Sequence, residues 1–519
     1  LDPKYRRAWE TTADGGQRLK QGSLSVGGAH LNTGYGLRWD STNDSYVLGS
    51  VVNGYFQPSP SLISFPIQEN MKRCILSDAG VVQYYLEEDE SYNENGETPT
   101  VTGTDDTGTA SKVSDAGVFS GDEADYVGRY VHNTTDDTYS MITAKDSADV
   151  LSIQTDIMDI GETFEITTAV LNGDDGQVMV EIPQFHYIQH FDGAYRYWLI
   201  GSSVFSLVTN GGTVVDSSIH PAFYKGGSST ASDYRYVGAY EASMYDASET
   251  AMTAVTSIHS SLYAAGDKMC SVSGQYPKTG ETIVECRTMA EARGTGWHQY
   301  DNLMHAAISI LYLTEYGDLY SQDKIGNGRV SLSNGDWVAS ETHDGTNYGY
   351  IGKAGLSNGD GNATGADSTD TDLTVSESPA YMSYRGVENW WGNVWKFMDG
   401  VNIYNDTTAS KLYLATNHTA YASDTATGYV FAGNLQEVDG YVGDILDALG
   451  VWAKTTGGNS ATYITDYYYT EFDTAPAGGW RVARVGGGAA AGATAGAFCV
   501  DSVNGSSGAF AIIGGRLCF

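Results

Sequence analysis

The chain reads as a β-rich α+β protein built from several modules. Short β-prone runs alternate with Gly, Asp and Asn turns along most of its length. One stretch near residue 300 carries a helical period. Tyr (37) and Gly (63) are abundant against 10 Pro in 519 residues, a composition of many strands and tight turns. A chain of this length exceeds one ordinary core, so two to four domains are expected. Tyr makes good sheets and also supplies stiff, amphipathic contact area at binding surfaces; composition leaves both readings open.

Taken in order, residues 1–60 are polar with Gly turns and are expected to form an attachment segment. The runs Met71–Leu76 and Val81–Leu86 read as strands flanking the Asp78–Gly80 turn. Residues 87–125 are acidic and rich in Gly, Thr and Ser, and read as loop or linker. Tyr126–Val131, Tyr139–Ala144, Val150–Ile153 and Thr163–Ile166 are strand-sized and predict a small antiparallel module. The expected division is therefore 1–98, an N-terminal β-rich attachment region; 99–170, an inserted antiparallel β module; and 171–519, the C-terminal domain. In that last part Gly176–Pro183 reads as a strand ended by its proline. Leu303, Met304, Ala307, Ile308, Ile310 and Leu311 recur at helical spacing, with Asp301 as N-cap and Gly317 as stop. A shorter helix is expected over 442–450, and everything else as strand and loop.

The formal charge is -36, from 64 acidic against 28 basic residues. Phosphate backbones and anionic membrane surfaces would be repelled, so no nucleic-acid partner and no basic membrane docking are expected. The acids are scattered, which points to solubility and, as a further expectation, to a salty habitat. No run of eighteen apolar residues predicts a membrane span, and no signal-peptide pattern opens the chain at Leu1. The five cysteines, Cys74, Cys270, Cys286, Cys499 and Cys518, show no metal spacing. Pairs 270/286 and 499/518 are open alternatives, but mostly free, buried thiols are expected. The acidic loop around Asn358–Asn362, with Asp360, Asp367, Asp370 and Asp372, offers hard oxygen ligands suited to Ca²⁺. It lacks the closing Glu of an EF-hand loop, and no other cofactor is expected. His220 and His298 read as structural histidines.

Four segments together carry a resemblance. They are Gln177–Tyr187 with His220–Phe223 and Gly238–Tyr240; Ala292–His298 with the helix after it; Gly386–Gly400, which holds Trp390, Trp391, Gly392, Asn393 and Trp395; and Gly478–Arg481 through Leu517. In this order they resemble phage tail adhesins with a C-type lectin fold of the formylglycine-generating-enzyme type. Many of those adhesins are variable proteins of diversity-generating retroelements. The resemblance covers about 171–519, and its Trp-rich third segment with the fourth is the specific part. It implies a receptor-binding protein at a viral tail fibre or tip, phage or archaeal. Its partners would be a host-surface protein or glycan and other tail proteins, and it would act as a homotrimer without membrane insertion. A structural fibre or decoration protein is the alternative. The oxidases sharing this fold need a Cys pair after the Gly-Gly turn; Gly488–Ala497 holds none, so no enzyme is expected.

In the resembled family the C-terminal region is copied with randomised adenines, so AAY codons become NNY. Such codons cannot encode Lys, Glu, Gln, Met or Trp, and none of these occurs between Gly488 and Ile513. The implied variable region spans about 480–513. Its expected frame is Gly486, Gly487, Gly492, Ala495, Gly496, Ala497, Phe498, Ser506, Ser507, Ala511, Ile513, Gly514, Arg516 and Leu517. The expected ligand-contacting, variable positions are Gly488, Ala490, Ala491, Thr494, Cys499, Asp501, Val503, Asn504, Gly508, Phe510 and Ile512. Ala489 departs from the family, where Trp is common. Phe510 is the best apolar anchor. Trp297, Trp390, Trp391, Trp395 and Trp480 are expected to be structural, because indoles of this size build a core when neighbours are small and the N–H finds a partner.

Overall fold

A computed structural model describes residues 34–59, 64–86, 100–248 apart from 137 and 168, 263–331, 351–368, 380–472 and 478–519, with three further short strands at Trp9–Thr11, Gln17–Leu19 and Ala251–Thr253. It is β-rich with few helices, and nearly all its strand pairs are antiparallel.

Three large sheets form the main body. The first runs in the order His298–Gln299, Leu517–Cys518, Tyr234–Gly238, Gln177–Pro183, Lys72–Leu76, Val82–Tyr85. It brings residues from both ends of the chain into one ladder: Val180 pairs with Val237 on one side and Arg73 on the other. The second runs Ser218–Ile219, His186–Phe191, Arg196–Gly201, Tyr35–Asp40, Ser45–Val52, Tyr55–Pro58. The third has nine strands and is centred on Trp395–Asn405 and Gly479–Val485.

This pairing redraws the N-terminal expectation. Tyr35–Asp40 pairs with Arg196–Gly201 and Lys72–Leu76 with Gln177–Pro183, so strands from 35–85 belong to the same sheets as the part beyond 171. Trp39 stacks on Trp198 at 6.1 Å across that pairing, and both are buried. Only tertiary pairing reveals this, because a polar segment with Gly turns looks the same in sequence whether or not its strands join a distant sheet.

The 100–167 segment is a six-stranded antiparallel sheet with its own core of Val113, Phe119, Val131, Ile142, Leu151, Phe164 and Ile166. The chain leaves the first sheet after Tyr85 and returns to it at Gln177, on either side of Lys72–Leu76. Part of the expected linker belongs to this sheet: Val101–Thr104 pairs with Thr163–Ile166, and Lys112–Ser114 with Val150–Ile153. Its few apolar residues, Val113 and Phe119, are wholly buried despite their polar neighbours.

Among the described residues three α-helices pack against the sheets: α1 (Ile283–Glu291), α2 (Asn302–Tyr316) and α3 (Ser321–Ile325). In α2 the Asp301 side chain accepts from Met304 N–H, and Gly317 ends the helix at φ 62. Nearly every α2 residue is buried. Each apolar side chain such as Ile308 or Leu311 contributes about 2 kcal/mol of burial. Gln68 ties the N-terminal part to α2, donating to Leu311 O and Thr314 Oγ1 while accepting from Tyr35. Sequence reading missed α1, although Thr282-x-x-Glu285 forms a reciprocal capping box there. The helix expected over 442–450 does not form: Gly440–Ile445 is a strand between Tyr467–Thr470 and Ala453–Thr456. Its apolar residues pack by sheet partners, which overrides the local pattern.

Candidate ligand-binding site

The C-terminal segment is woven around Trp395–Asn405. Gly479–Val485 pairs with it antiparallel (Lys396 opposite Val485), and Ile513–Gly514 pairs parallel with Trp395–Lys396. Between these strands, residues 486–499 form a loop, Val500–Ser502 returns beside Val485 and Tyr468, and 503–512 form a second loop. The first loop leaves and returns at the level of Lys396, and the second leaves beside Val482 and crosses back to Ile513 opposite Trp395.

The turn glycines have steric reasons. Gly486 and Gly487 are left-handed (φ 89 and 78), and a Cβ on Gly486 would lie 2.9 Å from Trp390 O. Gly496 (φ 152) lies against the buried Asp466 carboxyl, whose Oδ1 would be 2.1 Å from an added Cβ. That carboxyl accepts from Phe498 N–H. Burial raises its pKa well above the usual carboxylate range, only partly offset by that bond. Ala495, Ala497, Phe498, Ile513, Arg516 and Leu517 are all buried. Arg516 donates to Gly238 O and Ala239 O and also to the carbonyls of Glu388 and Asn389, joining the first sheet to the Trp-rich turn.

That turn is dense. Trp390 donates to Tyr300 Oη at 3.1 Å, Trp391 to Asn327 O at 3.2 Å and Trp297 to Asp78 O at 2.8 Å, and all three indoles are buried. Gly392 is left-handed (φ 78), with Arg329 O 2.8 Å from where a Cβ would sit. Asn393 accepts from Gly352 N–H and donates to Glu241 Oε2. Glu241 also pairs with Lys396 at 2.8 Å, both side chains almost wholly buried. Burial pushes the Lys396 ammonium down to about 8, against the opposing pull of Glu241. This buried pair fixes the floor beneath the loops.

Trp395 and Trp480 are different. Trp395 is 8% exposed and lines a concave site of about 320 Å³. Tyr469 stands perpendicular to it (80°, centroids 5.9 Å apart), and its hydroxyl donates to Thr494 Oγ1. Five of the expected variable positions line the same site: Gly488, Ala490, Ala491, Asp501 and Ile512. Asp501 is held by Arg484 at 2.5 Å and by Val503 N–H. The Arg484 guanidinium also lies 5.8 Å from the Trp395 ring and 5.9 Å from the Phe510 ring. Trp480 is half-buried and belongs to no core. Its ring meets Tyr404 (4.9 Å) and Tyr413 (5.9 Å) at a tilt, and Tyr413 meets Phe431 edge-on (5.7 Å), forming an aromatic row across four neighbouring strands.

Thr494, Val503, Asn504 and Gly508 are part-exposed on the two loops, and Phe510 is 39% exposed. Cys499 is a correction: it is wholly buried against the sheet, where it presents nothing to a ligand, and burial holds its thiol well above the usual range. Sequence reasoning missed Ile351, Tyr469 and Arg484. The inward–outward alternation of Tyr467–Thr470 was the available signal for Tyr469. Ala489 is buried with its N–H bonded to Asn393 O, on the rim of the same concavity.

All five cysteines are free and buried. Among the described residues no group of three or more His, Cys, Asp or Glu could hold a metal ion. Asp360 and Asp367 are described, with the Asp360 carboxyl tucked beneath Gly365; Asp370 and Asp372 lie outside the described residues. No described helix is long and apolar enough to cross a membrane. No model of a known protein family matches the chain, and no curated protein matches it either.

Proposed function

We propose that this chain is a viral receptor-binding protein of the tail-adhesin type, with a C-type lectin, formylglycine-generating-enzyme-like C-terminal domain, and that it binds a host-surface ligand through the two loops at 486–512. The observation that carries this reading is the segregation of that segment. Eight positions, Ala490, Ala491, Thr494, Val503, Asn504, Gly508, Phe510 and Ile512, keep surface on the loops, while Ala495, Ala497, Phe498 and Ile513 between them are buried. A rigid frame of this kind lets contact side chains change without unfolding the domain, and spares the entropy of ordering a loop on binding. Retroelement diversification of these positions, a place at a virion tail tip and a trimeric state belong to the same proposal.

Labelled full-length protein applied to a panel of bacterial and archaeal cells should bind a subset saturably. The double replacement Ala490→Arg with Phe510→Ala should abolish that binding and leave the melting temperature nearly unchanged. Binding to no cell type, or binding indifferent to the double variant, would sink the proposal. Population sequencing of the gene's 3′ end tests diversification separately: adenine-templated variation confined to about 480–513 is expected, and a uniform sequence removes it.

A further inference from the structure

The concavity beside Trp395 has the makings of a small, specific subsite. Its volume, about 320 Å³, is at the lower end of ligand sites, enough for one ring and not an extended chain. Trp395 and Tyr469 form two perpendicular aromatic walls. The small residues Gly488, Ala490 and Ala491 leave the space between them open.

Two polar groups in this corner have unused hydrogen-bonding capacity. Trp395 is 8% exposed, and its Nε1–H, which keeps access to solvent, has no hydrogen-bond partner among the described residues. It lies along the Gly488 side of the site, 3.5 Å from where a Cβ on Gly488 would be. An indole N–H that lines an aromatic-walled cavity and has no protein partner is free to donate to an acceptor on a bound ligand. The Asp501 side chain is 12% exposed. Its Oδ1 takes both Arg484 and Val503 N–H, and no described residue donates to Oδ2. Arg484 Nε, unlike these two, is a buried atom with no partner.

Donor and acceptor therefore converge on a cavity with aromatic walls. Resting on the adhesin reading above, we propose that this cavity binds the terminal pyranose ring of an uncharged glycan. A sugar hydroxyl both accepts and donates, so neighbouring hydroxyls answer the Trp395 N–H and Asp501 Oδ2 together, while the C–H face of the ring packs on an aromatic wall. Arg484 neutralises Asp501, so the site itself carries no net charge, and the chain's -36 disfavours anionic sugars. Binding needs no metal, because the hydrogen bonds come from side chains.

The test titrates full-length protein with galactose, glucose, mannose, fucose and N-acetylglucosamine, with glucuronic and sialic acids as charged controls, followed by tryptophan fluorescence and saturation-transfer NMR. At least one neutral sugar should bind saturably in the millimolar range, and the charged sugars about tenfold more weakly. Ala490→Leu, which fills the cavity from a part-exposed position, should weaken binding by about tenfold or more. Trp395→Phe keeps a ring and loses the N–H, and should weaken it by about tenfold with the fold intact by circular dichroism. Binding of no neutral sugar, or binding unmoved by both folded variants, overturns the proposal. Cell binding that persists but is not competed by any neutral sugar defeats the sugar assignment and leaves the adhesin reading standing. Sugar binding without attachment to any cell does the reverse.

Discussion

Gly496 and Gly492 sit four residues apart in one loop, both with positive φ, and face opposite constraints. At Gly492 (φ 57) an added Cβ meets nothing within 4 Å. Gly492→Ala should therefore cost only the left-handed penalty, about 1 kcal/mol. At Gly496 the Asp466 carboxyl fills the Cβ position, so Gly496→Ala should cost roughly 3 kcal/mol or more. Urea unfolding of the two variants checks the order, and equal losses would refute the steric account. The buried histidines give a second prediction at this scale. Burial lowers His305 to about 4 and His220 to about 3, so each stays neutral in the fold at pH values where the unfolded chain protonates it. Their stabilising contribution is present above about pH 6.5 and is lost as pH falls toward 4. Across that window His305→Gln should flatten the stability loss by up to roughly 3 kcal/mol relative to the parent. Parallel pH profiles for parent and variant would refute it.

At the scale of elements, the site depends on Trp395–Asn405 holding Gly479–Val485 on one side and Ile513–Gly514 on the other. Helix α1 packs beside the same region, with Cys286 and Met289 in the cluster that holds Trp395, Phe397 and Ile513. Its first turn is satisfied by Thr282, whose hydroxyl accepts from Glu285 N–H while its own N–H donates to the Glu285 carboxylate. Thr282→Ala should lower stability by about 1 kcal/mol, read from the midpoint of denaturant unfolding at unchanged slope. The Arg484–Asp501 pair joins Gly479–Val485 to Val500–Ser502 across the ladder. Because both side chains are nearly buried, Arg484→Met would leave Asp501 uncompensated and should cost about 3 kcal/mol, well above a surface pair. A double variant with Asp501→Asn should recover part of that loss. No recovery would show that the two do not act as a pair.

For the molecule as a whole, a charge of -36 on 519 residues makes self-repulsion a global term. Salt screens it, so the melting temperature should rise from low ionic strength toward molar NaCl. A flat response would show that the scattered acids are spaced too far apart to matter. The three sheets share one continuous core that runs from Trp39 and Trp198 through α2 to Trp390 and Phe498. The 100–167 module keeps a separate core and touches the main body through contacts such as Tyr130 with Ser273 and Gln154 with Ala354. The loops at 486–512 are thus mounted on the part of the protein with the largest core, far in chain length from the module.

Some of this was legible in the amino-acid order. The α2 cap at Asp301 and stop at Gly317 and the strands Val150–Ile153 and Thr163–Ile166 are local matters, set by backbone propensity and turn chemistry within a few residues. Other features were decided only by tertiary structure. Residues 35–58 became strands of a sheet shared with Arg196–Gly201; the helical pattern over 442–450 gave way to a strand paired on both sides; Cys499 was buried; and Tyr469 and Arg484 met Trp395 from separate strands. Each depends on which distant strand lies alongside, and a two-residue period tells that a side chain faces one side of a sheet without telling what covers that side.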